Sequence, residues 1–266
     1  LTVAGGTLTV SSDNAAMSAD TTIASDGVIR MLSSQALGTG SVNNQGLLYL
    51  GQDDDSQVTR DTLTNYQTGA LTNSGTVVIG HNDASGQAIA GTTLTVNGNY
   101  TGDNGHLQFN TVLGDDSSAT DKLIVTGDTS GDTGVSVKNA GGVGDKTLNG
   151  IELISVGGQS DGTFTQEGRI VAGAYDYSLV RGKGNNSGNW YLTSQTDPVD
   201  PVDPVDPTKP TDHVNRPEGG SYIANLAAAN TLFNTRLHDR LGETQYVDAL
   251  TGEKKVTSLW LRQVGG

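Results

Sequence analysis

Four histidines (His81, His106, His213 and His238), one serine set in "GDTSGD" and two runs of aspartate are the residues whose types invite a chemical reading. Ser130, within Gly127 to Asp132, has the small and acidic neighbours of a secreted serine nucleophile. Acyl transfer also needs a base to take the hydroxyl proton and a third group to orient that base. No ordered His and Asp partners flank Ser130 in a recognisable motif, and a polar turn between "KLIVT" and "GVSV" accounts for the same letters. "GGVGDKTL", Gly141 to Leu148, partly matches the calcium-binding nonapeptide repeat; it occurs once, with Asp145 one position early, and reads as a loop. Asp53-Asp54-Asp55 and Asp115-Asp116 offer hard oxygen ligands, yet runs of this kind on exposed turns are ordinarily just solvated. The chain has no cysteine, which excludes disulfides and thiolate metal sites. The reading is of a non-enzyme with no catalytic, cofactor or metal site.

The elements that would position any site are β-strands. The 266 residues include 37 Gly and only 17% charged residues, with Ser, Thr, Asn and Asp dominating the polar ones, which favours strands and turns over helices. With 29 acidic against 15 basic side chains the net charge is −14, which opposes binding to nucleic-acid phosphates or an anionic bilayer surface. The chain opens on "LTVAGGTLTV", so neither a signal peptide nor a transmembrane helix is read there. From Leu1 to about residue 98, short β-formers alternate with Gly/Asn/Asp/Ser turns. "NQGLLYLG" (Asn44 to Gly51) and "NSGTVVIG" (Asn73 to Gly80) share N-x-G, four strand-compatible residues and a closing Gly, 29 residues apart. Gly27 lies 19 residues before Gly46, and Gly105 lies 30 after Gly75. Such imperfect repetition belongs to solenoids, whose stacked coils bury a continuous core. "LLYL" and "VVI" are apolar on both parities, which suits stacked parallel strands. The fold class is all-β, a right-handed parallel β-helix, with a β-sandwich as second choice.

Residues 99 to 195 carry longer strands and the aromatics Tyr175, Tyr177, Trp190 and Tyr191. "YDYSLVRGKGNNSGNWYLTS" reads as a hairpin, and a bulky hairpin suits the end of a solenoid whose last coil exposes unpaired edge groups. All six prolines then fall between residues 198 and 217. The period-three Pro-Val-Asp repeat matches polyproline II, and its aspartates repel one another, giving a semi-rigid tether over 196–218. One α-helix is read over 219–241, with Ser221 as N-cap, Gly242 as stop and Leu226, Ala229, Phe233, Leu237 and Leu241 on one stripe. The remainder, 242–266, ends in "KKVTSLWLRQVGG", read as a single strand. One strand cannot close a barrel, which needs at least about eight.

This order resembles the bacterial autotransporters of type Va secretion, specifically the adhesin-type group with an autochaperone segment. The resemblance spans nearly the whole chain and rests most on "YDYSLVRG" through "GNWYLTS" and on "RPEGGSYIANLAAANTLFNTRLHDRLGE" with "SLWLRQVGG". It implies that 1–98 are passenger coils, 99–195 the autochaperone, 196–218 a spacer near a pore exit, 219–241 a helix in the lumen of an outer-membrane barrel, and 256–264 the first barrel strand. It implies placement at the cell surface or outer membrane, with release from the cell as a further option. The implied partners are the chain's own barrel, the outer-membrane assembly machinery and a host surface or a second copy. Some relatives cleave themselves between paired asparagines in the lumen helix; Asn225, Asn230 and Asn234 are unpaired, so that step is not carried over. Tyr175, Tyr177, Trp190, Tyr191 and Leu192 are the expected folding nucleus. The function expected is an adhesin or aggregation factor, with the stalk of an enzyme whose catalytic domain lies upstream as the alternative.

Overall fold

The computed structural model describes residues 1–51, 64–83, 85–194, 244–248 and 250–257. The expected proline tether, the expected helix with its stripe, and residues 258–264 of the expected barrel strand lie outside the described residues, as do Asp53, Asp54 and Asp55. The chain divides into two units, Leu1–Arg216 and Pro217–Gly266, each taken by itself.

Two sheets build the first unit. One holds β1 (Thr2–Val10), β2 (Thr21–Met31), β3 (Val42–Asn44), β4 (Leu47–Leu50), β6 (Leu71–Asn73), β7 (Thr76–Val78), β11 (Tyr100–Thr111), β13 (Thr129–Asn139) and β15 (Thr163–Gln166). All its pairings are parallel. The other holds β5 (Asn65–Thr68), β10 (Thr93–Val96), β12 (Lys122–Val125), β14 (Ile151–Val156), β16 (Ile170–Ala172), β17 (Tyr175–Arg181) and β18 (Trp190–Thr193), in the order β16-β17-β18-β14-β12-β10-β5. It is parallel from β5 to β14 and antiparallel from β14 to β16. A short antiparallel pair, β8 (His81–Asn82) and β9 (Ala88–Ile89), stands apart from both. Consecutive strands of each parallel region are coils of one chain, so the unit is a parallel β-solenoid.

Coil length decides whether a second sheet exists. Near the start, contacts between adjacent coils join residues 19 to 22 apart. Further on the interval is 29, as between Asn44 and Asn73. The longer coils each contribute one strand to the second sheet, from β5 onward. The repeat seen in the sequence is thus the rung spacing itself: Asn44 pairs in register with Asn73, and Leu47 with Thr76. Gly46 and Gly75 sit at the bend between two strand pieces of one rung. A side chain on Gly75 would overlap the backbone of Gln45 and Gly46, and one on Gly46 the carbonyl of Gly27, so the bends stack only without Cβ atoms.

The interior consists of columns. Leu8, Ile29, Leu48, Val77, Leu107 and Val135 stand in register through the first sheet. Tyr66, Leu94, Leu123, Ile154 and Trp190 do so through the second. All but Leu8, which packs against the core, are buried. Burial alternates along "LLYL" although hydrophobicity does not: Leu48 and Leu50 point inward while Leu47 and Tyr49 are half-buried outside. There the Arg30 guanidinium lies 4.6 Å above the Tyr49 ring. A polar column also runs inside. Asn44 Nδ2 donates to Asn73 Oδ1 (2.9 Å), Asn73 Nδ2 to the Tyr100 hydroxyl (3.4 Å), and that hydroxyl meets Thr133 Oγ1 (3.0 Å). These bonds offset most of the cost of burying the column, although Asn44 Oδ1 itself finds no donor among the described residues.

In the second unit the described residues contain a hairpin, β19 (Thr244–Val247) against β20 (Lys254–Thr257), where the sequence suggested a single strand. Between the two strands the Asp248 carboxylate accepts the Leu250 N–H (2.9 Å), and Gly252 takes φ 67°, as a chain reversal requires.

Candidate functional site

The residues expected as a folding nucleus come together where the solenoid changes from parallel to antiparallel pairing. In β18, Trp190, Tyr191, Leu192 and Thr193 are all buried, unlike the alternating strands upstream. One edge of β18 pairs with β14, setting Leu192 opposite Ile151 and Trp190 opposite Ile154. The other edge pairs with β17, setting Leu179 opposite Leu192 and Arg181 opposite Trp190. The expected hairpin from "YSLV" to "WYL" is therefore present, its turn a short 3₁₀ segment at Gly184–Asn186. The Trp190 ring meets Phe164 edge-on at 5.5 Å between centroids, and Phe164 stacks on Tyr100 at 5.8 Å. Such contacts add about 0.5 to 1.5 kcal/mol each beyond area burial. The Trp190 indole N–H is buried and finds no acceptor among the described residues.

The tyrosines join segments remote in sequence. The Tyr191 hydroxyl donates to Glu152 Oε2 (2.9 Å), which also accepts from Asn189 Nδ2 (3.1 Å). Tyr177 has its ring buried, and its hydroxyl donates toward the carbonyls of Gly114 (2.8 Å) and Asp145 (2.9 Å) while accepting the Asp145 N–H (3.0 Å). Burial pushes the Tyr177 hydroxyl above its ordinary titration range, more than the Asp145 N–H pulls it back. Tyr175 is half-buried and packs on the edge of the core. Thr147 and Ser194 exchange bonds: Thr147 N–H to Ser194 Oγ, and Ser194 N–H to Thr147 Oγ1, both 2.9 Å.

Three further residues carry the site, and the sequence reading missed them. Asp116, expected to be solvated with Asp115, instead accepts the N–H groups of Leu148 (2.9 Å), Asn149 (2.8 Å) and Gly150 (3.0 Å), fixing the approach to β14. Asp115 does sit on an exposed turn, where bonds from the Ser117 hydroxyl and N–H hold its carboxyl below the usual range. Asp121 is fully buried and accepts the N–H groups of Gly91 and Thr92 (both 2.9 Å) and Asn110 (2.6 Å). Arg181 donates to the Ser160 carbonyl (2.7 Å) and the Gly162 carbonyl (2.9 Å) with its guanidinium carbon 5.0 Å from the Trp190 centroid. Their hydrogen bonds join residues at least eleven apart, and those of Asp116 reach 34, so no local motif signals them.

The residues considered for catalysis are dispersed. Ser130 lies within β13 rather than in a turn, on an outward column with Thr22, Asn43, Thr72 and Thr101, and its Oγ faces Thr101 Oγ1 at 3.4 Å. His81 Nδ1 meets Thr92 Oγ1 (3.3 Å), and His106 Nδ1 pairs with Glu167 (2.8 Å). The loop at Gly141 to Leu148 is a loop, closed by Asn139, whose side chain bonds both Gly142 N–H and Gly142 O at 2.7 Å. Among the described residues no three His, Asp or Glu side chains gather as a metal centre. What the arrangement offers is a strand docked on the free edge of β14, whose other edge pairs with β12, then β10, then β5.

Comparison with known proteins adds identity. Residues 66–179 match the family model described as Autochaperone Domain Type 1. The chain is 55% identical over 231 residues to the protein YuaQ of Escherichia coli (strain K12), covering 84% of this chain and 17% of that protein. It is 40% identical over 180 residues to the autotransporter adhesin AIDA-I of Escherichia coli, covering 66% of this chain and 13% of that one. It is 50% identical over 112 residues to the adhesin BmaC autotransporter of Brucella suis biovar 1 (strain 1330), covering 38% of this chain and 3% of that protein. The chain thus spans less than a fifth of the length of each of these three relatives.

Proposed function

From the premise that this chain is an autotransporter passenger with an autochaperone domain, located at the cell surface or outer membrane, we propose that residues 99–195 nucleate folding of the coils before them. The observation that carries this reading is the second-sheet column ending in Trp190, with β18 buried on both faces. The hairpin of β17 and β18 is itself local in sequence and gives β14 a partner from its C-terminal side, so this part can form without the upstream coils. Once β14 is ordered, its other edge templates β12, and growth continues through β10 and β5 one coil at a time. For a chain leaving a pore with this end first, folding of each coil opposes return. The aromatics anchor the process: each large side chain fully buried contributes roughly 1.5 to 3 kcal/mol.

The names of AIDA-I and BmaC support an adhesin or aggregation factor, whose outward coil faces contact a host surface or a second copy. Secretion runs through a barrel at the chain's C-terminal side and the outer-membrane assembly machinery, with 196–218 as spacer and 219–241 as lumen helix. The test compares passenger display and protease resistance of wild type with Trp190→Ala and Tyr191→Ala, alone and together, in the full-length protein. Nucleation by this segment requires loss of both in the double variant; unchanged display and resistance would refute it.

A further inference from the structure

Arg181 stands at the junction between the antiparallel hairpin and the last parallel coil, and three of its contacts lie on two different segments. Its guanidinium carbon lies over the Trp190 ring on the neighbouring strand. One Nη donates to the carbonyl of Ser160 and the other to that of Gly162, both in the loop leading into β15. This loop is itself fastened to the preceding rung. Thr129 N–H donates to Gln159 O (2.8 Å), Thr129 and Ser160 form a parallel bridge, and Gln159 N–H donates to Asp128 Oδ1 (2.7 Å). Ser160 Oγ in turn donates to the Gly188 carbonyl at the hairpin turn (2.8 Å). Phe164, four residues after Ser160, meets Trp190 edge-on.

We infer that Arg181 is a positioning residue for nucleation: it makes docking of the β17–β18 hairpin conditional on the loop at 159–162 having closed upon the Thr129 rung. The working nucleus is then composite, formed by hairpin and loop together, with the loop contacts reinforcing the register that β18 takes on β14. The inference rests on the autochaperone reading above. The physical ground is the guanidinium fork, which alone among side chains presents two divergent N–H groups in one plane while its face lies on an aromatic ring. Lysine retains a cation for the indole but, as a compact point charge, does not hold two carbonyls two residues apart in one fixed plane.

The test is the refolding of the full 266-residue chain from urea, followed by far-ultraviolet circular dichroism and tryptophan fluorescence, for wild type, Arg181→Lys, Arg181→Met and Trp190→Ala. Charge-assisted bonds made in the transition state imply about tenfold slower folding for both Arg181 variants, with unfolding changed by less than about twofold. Arg181→Lys folding at the wild-type rate while Trp190→Ala folds slowly overturns the latch and leaves the nucleus standing. Wild-type folding rates in all three variants remove both. Faster unfolding without slower folding shows that Arg181 packs after nucleation and also overturns the inference. Should Arg181→Met fail to fold, Arg181→Lys alone decides, because it preserves the charge and removes only the fork.

Discussion

Replacing Tyr177 by phenylalanine removes one oxygen and leaves the buried ring in place. That oxygen serves Gly114 O, Asp145 O and Asp145 N–H, joining points up to 63 residues apart. A hydroxyl has one proton, so the loss amounts to one donated bond, shared between two carbonyls, and one accepted bond. Each net bond is worth about 1 kcal/mol, and the part-buried groups left behind add desolvation cost, giving a destabilisation of about 2 kcal/mol. For a solenoid of this size that lowers the midpoint of thermal unfolding by roughly 4 to 8 °C. Tyr177→Ala also removes the ring and costs about 3 to 5 kcal/mol in all, so the difference between the variants isolates the packing share. Urea unfolding monitored by circular dichroism measures both. If Tyr177 belongs to the nucleus, the Phe variant loses its 2 kcal/mol mainly as a folding rate slower by about tenfold or more. A Phe variant within 0.5 kcal/mol of wild type, or one that only unfolds faster, refutes this account of Tyr177.

Gly75→Ala forces a methyl into the stacked bend and is expected to cost about 1 to 3 kcal/mol in urea titration, whereas Gly188→Ala, whose Cβ meets nothing closer than 3.6 Å, stays within about 0.5. Asp116→Ala frees three N–H groups and is expected to lower stability by about 1 to 3 kcal/mol, with Asp116→Asn between it and wild type because one oxygen remains; equal midpoints would contradict the capping role. Alkaline pH weakens the fold through buried phenols: burial pushes Tyr66 up to about 12, and Tyr100 and Tyr177 are raised as well. Above about pH 10 the unfolded chain gives up these protons while the folded chain keeps them, so stability is full below pH 10 and falls as pH rises towards 12. Thermal midpoints between pH 9 and 12 should fall less steeply in Tyr66→Phe than in wild type; identical slopes remove Tyr66 from the explanation.

What the sequence disclosed depended on whether a signal was local or periodic. The N-x-G repeat revealed the rung interval because stacked bends exclude Cβ atoms at every coil, so the glycines recur where geometry requires them. The "YSLV" to "WYL" hairpin was legible because its turn chemistry lies between its own strands. Asp116 and Arg181 were not, since a carboxylate facing three N–H groups about 32 to 34 residues away looks identical in sequence to a solvated one. Ser130 was read as part of a turn because Gly and Asp surround it, yet Gly102 and Gly131 pair in register and keep the strand going. The pair β8 and β9 was likewise invisible, since it and Thr92 are held by Asn110 and Asp121 from later coils.

The most direct test of propagation from the hairpin toward the first coils is pulsed hydrogen exchange during refolding. Amides of Ile151–Val156 and Trp190–Thr193 should gain protection first, those of Lys122–Val125 and Thr93–Val96 next, and those of Thr21–Met31 last. Protection that appears at Thr21–Met31 before Trp190–Thr193, or at one rate throughout, would contradict the account.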